Sequence, residues 1–350
     1  MAGIRNIAFA GHGGTGKTSL VENILFAGGA ISKPEAVASG KTVSDYTEEE
    51  IDNQMSIHTS LSHVNVGDTK INLLDTPGSS DFVGEVVAAL RAAESACVVI
   101  AGKAGVQVET IKLWRRMNER NMPRFVFVSK MDEDRANYQA VLDDLAEKFQ
   151  KTCVPVTIPM GSGADYKGVI NLMEMKAYPV PGAGAKESAS DIPGEFAEAA
   201  EAARAVLIES AAEGDDELTE KYLMEETLTD AEIRRGITEG LVANKVVPVL
   251  CGAAEQGSGL AGLLSIIADE APAPESVKEV VVAEDGSGSE VAIDASAPFS
   301  AFVFKTSIDQ FSGKLSFVKV VGGTLSADTD LVIAREKKKE KLSKVYTAQG

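Results

Sequence analysis

Residues Gly11-His12-Gly13-Gly14-Thr15-Gly16-Lys17-Thr18 have the spacing G-x-x-x-x-G-K-[ST], a pattern suited to holding phosphate. A phosphate cradle needs backbone N–H groups turned toward one point. That calls for glycines at angles other residues resist, followed by a helix whose positive N-terminal end faces the anion. Gly11, Gly13, Gly14 and Gly16 meet the first need, and the helical pattern from Thr18 to Leu25 meets the second. Lys17 would reach the β- and γ-phosphates and the Thr18 hydroxyl would be one oxygen ligand of Mg²⁺, with Ser19 beside it at the nucleotide.

Two further segments carry matching chemistry. Asp75-Thr76-Pro77-Gly78 follows the apolar run Ile71 to Leu74. An aspartate at a strand end can hold Mg²⁺, usually through a water, and a glycine can offer its N–H to a γ-phosphate and release it when that phosphate leaves. Ser129-Lys130-Met131-Asp132 follows the run Arg124 to Val128. The Asp132 carboxylate can accept both guanine donors, N1–H and the exocyclic amine, whereas adenine would leave it unpaired. The stem of Lys130 can cover one face of the base, and the small residues Gly252-Ala253-Ala254 would let backbone N–H groups approach the guanine oxygen.

The elements that must position these residues are legible as apolar runs. Asn6 to Ala10, Ile71 to Leu74, Ala96 to Ala101, Arg124 to Val128 and Val246 to Leu250 read as strands buried on both faces. Helical patterns at Asp81 to Ala93, Val108 to Arg120 and Asn137 to Phe149 lie between them. This alternation predicts a doubly wound, mostly parallel α/β sheet with ligands at the carboxyl ends of its strands. The interval from about 155 to 245 breaks the rhythm and reads as an inserted α+β subdomain. It has short strands at Val156 to Ile158 and Lys167 to Leu172, a loop Pro181-Gly182-Ala183-Gly184-Ala185, and helices at Glu195 to Glu213 and Asp230 to Ala243. The expected division is 1–270 for the nucleotide domain, 271–296 for a linker and 297–350 for the start of a β-barrel. Pro298 to Thr306 and Leu315 to Val321 would be its first strands, and the chain is expected to end inside that domain.

A net charge of −18 opposes casual binding to nucleic acid. The basic run Lys337-Lys338-Lys339, continued by Lys341 and Lys344, reads as decoration of a solvated hairpin, with RNA contact left open. Cys97, Cys153 and Cys251 are far apart and read as reduced thiols. No basic-then-apolar leader opens the sequence and no apolar run nears the roughly 20 residues that span a bilayer, so a cytoplasmic monomer with neither membrane nor DNA as partner is expected.

From Ile4 through Val345 the chain resembles the amino-terminal half of translation elongation factor G. The residues that carry this are the His12-containing phosphate loop, Leu74 to Gly78 followed by Asp81-Phe82, and Ser129 to Asp132. Cys251-Gly252-Ala253, the inserted subdomain, and Pro298-Phe299-Ser300-Ala301 leading to Gly313-Lys314-Leu315 add to it. The resemblance implies a P-loop GTPase fold, GTP or GDP with Mg²⁺ as ligands, and the ribosome, its proteins and rRNA, as partner. The acidic inserted subdomain is the candidate for touching ribosomal proteins. Thr18, Ser56 and Asp75 would hold Mg²⁺, Lys17 and the loop amides would stabilise phosphate charge, and Gly78 would sense the γ-phosphate.

The sequence departs from that family at informative places. Ser79 stands where the family has a histidine that positions the attacking water. Its hydroxyl is shorter and cannot become a cation near neutral pH, which would lower turnover by roughly 10² to 10⁴. Asn53-Gln54-Met55-Ser56-Ile57 stands for Arg-Gly-Ile-Thr-Ile, Gly14 for a common Asp, and Ser129 for the Asn of the base motif. The chain has only His12, His58 and His63: His12 fits the phosphate-loop framework, and His58, near Ser56 on a segment that can move, is either a replacement for the missing histidine or a surface strand residue. The expectation is an elongation factor G-like GTPase that hydrolyses GTP slowly by itself. The alternatives are a ribosome-associated switch without useful hydrolysis, regulatory or protective, and a metabolic P-loop ATPase.

Overall fold

The computed structural model describes residues 3–182, 184–282, 285–309, 313–342 and 344–349; Ala183 of the expected 181–185 loop and Gly350 lie outside the described residues. The chain divides into two compact units, one running through Pro272 and the other Ala273–Gln349.

In the first unit the apolar runs become strands because each can be covered on both faces. Its elements begin with β1 (Gly3–Ala10), α1 (Lys17–Ala27), α2 (Glu48–Asn53), β2 (Ser60–Val66), β3 (Thr69–Asp75) and α3 (Val83–Ala92). They continue with β4 (Ser95–Ala101), α4 (Val108–Glu119), β5 (Arg124–Ser129), α5 (Tyr138–Phe149) and β6 (Thr152–Pro155). The sheet order is β2-β3-β1-β4-β5-β10-β6, where β10 is Val246–Cys251. All neighbours run parallel except β2, which is antiparallel to β3. Every residue of β4, β5 and β10 is buried, as a helix-covered parallel sheet demands.

Arg124, the one charge in these central strands, is 1% exposed. Its guanidinium lies 4.8 Å from the centre of the Trp114 ring and donates to the carbonyls of Met122 and Trp114. Trp114 in turn stacks on Phe149 with ring centres 4.0 Å apart. Burial lowers the Arg124 pKa to about 10.

Between β6 and β10 lie a three-stranded antiparallel sheet, β7 (Thr157–Pro159), β8 (Gly168–Asn171) and β9 (Lys176–Pro179), and three helices, α6 (Gly194–Ala212), α7 (Asp216–Glu225) and α8 (Asp230–Val242). After β10 comes the short α9 (Leu260–Ser265). Helices α6 and α8 touch through backbone, since a Cβ on Gly236 would fall 2.0 Å from the Ala211 carbonyl oxygen.

The second unit holds three two-stranded antiparallel ladders among its described residues. They are β11 (Lys278–Val282) with β12 (Gly288–Ala292), β13 (Ser300–Asp309) with β14 (Gly313–Gly322), and β15 (Asp330–Ile333) with β16 (Lys338–Lys341). The interval 271–296, expected to be a linker, therefore carries a hairpin: Val280, Val281 and Val282 are β-branched, and the Gly- and Ser-containing segment is its turn and second strand. A buried ion pair of 2.8 Å joins Lys319 to Glu279. Lys338, Lys339 and Lys341 are exposed on β16. Among the described residues no helix is long and apolar enough to cross a membrane.

The Gly236 crossing gives a stability test. Gly236→Ala should cost about 1–3 kcal/mol by forcing α6 and α8 apart, read as a lower urea midpoint, whereas Gly182→Ala, where an added Cβ meets nothing, should change it little.

Candidate nucleotide-binding site

The loop between β1 and α1 turns back on itself. Gly16 caps α1 at φ 88°, a left-handed angle that glycine takes without a Cβ penalty. Thr15 is buried and its hydroxyl donates to the His12 carbonyl at 3.0 Å. Gly13 and Gly14 are exposed, and a Cβ added at Gly14 would meet no atom within 4 Å, but a side chain there would have to adopt φ 77°. Lys17 is 6% exposed, and its ammonium donates to the carbonyls of Gly11 and His12, each at 3.0 Å. Burial pulls its pKa down to about 8, against the attraction of Asp75 and Asp45.

The turn after β3 lies against this loop. In the parallel register Phe9 stands beside Asp75, and the Thr76 hydroxyl donates to the Phe9 carbonyl at 2.7 Å. Pro77 is buried next to it. A Cβ on Gly78 would fall 2.6 Å from the Gly13 backbone and 2.6 Å from the Lys17 ammonium nitrogen, so only glycine permits this approach. Ser79 caps a single helical turn, its hydroxyl accepting the Asp81 amide.

Asp75 is 1% exposed and Asp45 4%. None of their four carboxylate oxygens has a hydrogen-bond partner, although the hydroxyls of Thr18 and Ser44 beside Asp75, and of Ser56 beside Asp45, favour the ionised forms. Burial, then repulsion from Asp45, lifts the Asp75 pKa to about 7; burial also raises that of Asp45. The Thr18 and Ser56 hydroxyls are 3.1 Å apart. Unpaired buried carboxylates and paired hydroxyls form an oxygen-rich donor set fitting a hard divalent cation.

Asp45 escaped the sequence reading because no motif frames it. Two other acids hold its segment. Glu22 on α1, 1% exposed, accepts the amides of Glu35 and Val43. Glu50 on α2 forms a capping box with Thr47 and accepts the amides of Ile57 and His58, both at 3.0 Å. That box was legible as Thr47-x-x-Glu50. Asn53 bonds back to the Glu49 carbonyl, and Gln54 takes φ 50° where the resembled family has glycine. His58 is exposed, and His63 lies half-buried on β2.

On the base side, Ser129 is fully buried and its hydroxyl donates to the Thr15 carbonyl at 2.5 Å, with Ile100 as a second acceptor at 3.3 Å. Ser129 thus ties the base strand to the phosphate loop. Lys130 pairs with Glu133 at 2.9 Å, and the Asp132 carboxylate accepts the Gln256 side-chain amide at 3.0 Å, a neighbour the sequence did not reveal. Gly252 is threaded between strand ends: its amide donates to Val128 and its carbonyl accepts Met131. Ala253 and Ser258 exchange two backbone hydrogen bonds, closing a loop that contains Ala254. A cleft of about 80 Å³ bordered by Gly16, Ser19, Lys130, Asp132 and Ala254 lies between the two sides.

Fold and site together define a P-loop GTPase-type domain. Residues 2–273 match the elongation factor Tu GTP binding domain and residues 298–350 match elongation factor G domain 2. The chain is 35% identical over 346 residues to elongation factor G of Mycoplasma pneumoniae, covering 97% of this chain and 50% of that protein. It is 35% identical over 350 residues to an elongation factor G-like protein of Thermotoga maritima, covering 99% and 50%. A crystal structure from Thermus thermophilus superposes with a TM-score of 0.87 at 30% identity, covering all of this chain and 50% of that one. The chain belongs to the elongation factor G family of translational GTPases. It spans about half the length of the curated relatives it matches.

Glu50 yields a pH prediction. Burial opposes its charge, but the amides of His58 and Ile57 and the Thr47 hydroxyl outweigh burial and hold its pKa below the ordinary value. Its contribution to local order is therefore complete above the ordinary glutamate pKa, about 4.3, and is lost as pH falls through the lowered folded value. Hydrogen exchange at Ile57 and His58 should accelerate over that acid window, and Glu50→Gln should produce the same loss at pH 7, on the order of 1–3 kcal/mol.

Proposed function

We propose that this protein binds GTP and GDP with Mg²⁺ and acts at the ribosome as an elongation factor G-like GTPase. The observation that carries the reading is the meeting of four separate segments, 11–18, 75–79, 129–132 and 252–254, around one end of a parallel sheet. Asp132 would accept the two guanine donors, Lys130 would cover the base, and the Ala254 amide would meet the guanine oxygen, that of Ala253 being engaged by Ser258. Lys17 and the loop amides would hold the phosphates, and Gly78 would offer its amide to the γ-phosphate.

Thr18, Ser56, Asp75 and Asp45 would hold Mg²⁺, which would supply charge neutralisation to the phosphates. Ser79 occupies the place of a water-positioning group with a hydroxyl already engaged as a cap, which supports slow hydrolysis by the protein alone. Cytoplasmic action follows from the proposed ribosomal partner.

Asp132→Ala should weaken GTP binding by roughly 10²-fold or more while leaving ATP binding unchanged, measured by displacement of a fluorescent nucleotide. ATP binding tighter than GTP binding would sink the guanine assignment. In single-turnover hydrolysis, Ser79→His should raise the rate by on the order of 10². GTP that stays bound and unhydrolysed in both forms, with and without ribosomes, would point to a switch without hydrolysis.

A further inference from the structure

The loop that closes the base side of the site cannot cap its own returning arm. That arm ends at Gly259, which caps α9 at φ 87° without a side-chain hydrogen bond. A local side-chain cap is impossible, because a Cβ at Gly259 would fall 2.3 Å from the Cys251 carbonyl oxygen and 2.9 Å from the Gly252 Cα. The first amides of a helix nevertheless need acceptors.

Glu187 supplies them from 72 residues earlier in the chain. It lies in the segment between β9 and α6; its Oε1 accepts the Gly259 amide and its Oε2 the Ala261 amide, both at 2.7 Å. The same inserted region fastens the loop a second time: the buried hydroxyls of Tyr166 and Ser258 share a hydrogen bond of 2.8 Å. Pro181 stands beside Gly257, 3.6 Å from where a Cβ would be. From the clamped arm the contacts run on to the base pocket, through the Ala253–Ser258 bridge to Gln256, whose amide rests on Asp132, and through the Gly252 carbonyl to Met131.

We propose that Glu187 is a positioning residue for guanine recognition: by gripping the amides of Gly259 and Ala261 it fixes the 252–258 loop against Asp132, so the inserted region sets how long a guanine nucleotide stays bound. This rests on the guanine-nucleotide reading above. A carboxylate matches two amides with two oxygens, whereas an amide side chain offers one acceptor, so Glu187→Gln should show part of the effect of Glu187→Ala.

The experiment is stopped-flow release of fluorescent GDP, and of the inosine diphosphate that lacks the exocyclic amine, from the wild-type chain, Glu187→Gln, Glu187→Ala and the surface variant Asp191→Ala. Glu187→Ala should release GDP on the order of tenfold faster, with Glu187→Gln intermediate. The preference for GDP over inosine diphosphate should shrink, while the acceleration caused by chelating Mg²⁺ stays the same in every variant. Asp191→Ala, which removes only an exposed pair with Lys176, should behave as wild type. If Glu187→Ala does not fold, Glu187→Gln decides, together with faster hydrogen exchange across 252–261. Wild-type release rates in the Glu187 variants overturn the proposal while the guanine reading stands, as does equal acceleration of both nucleotides. Failure of the wild-type chain to prefer guanine nucleotides over ADP overturns both.

Discussion

Charge that water cannot reach governs the architecture of this site. Lys17, Asp75 and Asp45 are all nearly inaccessible, and the acids lack hydrogen-bond partners. Buried ions are costly unless paired, and the visible sign of that cost is a lysine and two aspartates whose pKa values move toward their neutral forms. Such an arrangement persists only where surrounding structure holds the groups in place. The interior of the sheet does so: Phe9 and Val99, whose carbonyls border the phosphate loop, belong to a core of fully buried strands. The same confinement strengthens any interaction with phosphate or cation, because a low dielectric screens it less.

Rigidity around these charges comes from loops that hold one another. Ser129 reaches across to Thr15, Thr76 to Phe9, Gln256 to Asp132, and Gly78 leans on Gly13. None of these contacts is local in sequence, so the site exists only once the parallel strands have set the loops side by side. Residues 35–58 are held differently, by carboxylates of Glu22 and Glu50 that accept amides of Glu35, Val43, Ile57 and His58. Contacts of that kind can open without disturbing the sheet.

Sequence read the core of the fold well because parallel strands leave a strong signature. Arg124 to Val128 and Val246 to Leu250 are runs that only a doubly covered sheet explains, and the structure extends each by one residue. The edge strands were not legible. β2 is Ser-Leu-Ser-His-Val-Asn-Val, where adjacent Ser62 and His63 break the polar–apolar alternation, and β6 is four residues long and includes a proline. α7 was missed because its apolar stripe is thin, leaving Leu223 and Met224 exposed. Of the site, glycines and motif residues were visible, since backbone geometry demands them at fixed spacing. Asp45, Gln256 and Glu187 were not, because their roles arise from contacts that span the chain. Ser129 shows the limit from the other side: it stands where the resembled family has Asn at the base, and its hydroxyl is a strut to the phosphate loop.

The β2–β3 hairpin joins the two segments that flank the buried acids, for Ser60 pairs with Asp75 at its open end and Val66 with Thr69 at its closed end. Only Gly67 and Asp68 make the turn, with Gly67 at φ 54°. In a hairpin the turn fixes the register, and a slip of one residue exchanges the two faces of a strand. Because β3 is also locked to β1, it is the edge strand β2, and the Ser56-bearing segment that enters it, whose placement depends on two residues roughly 20 Å away along the ladder. Lengthening that turn by a single residue would reach the chemistry without touching it, which makes the far tip of the hairpin a mechanical setting for the segment that carries Ser56.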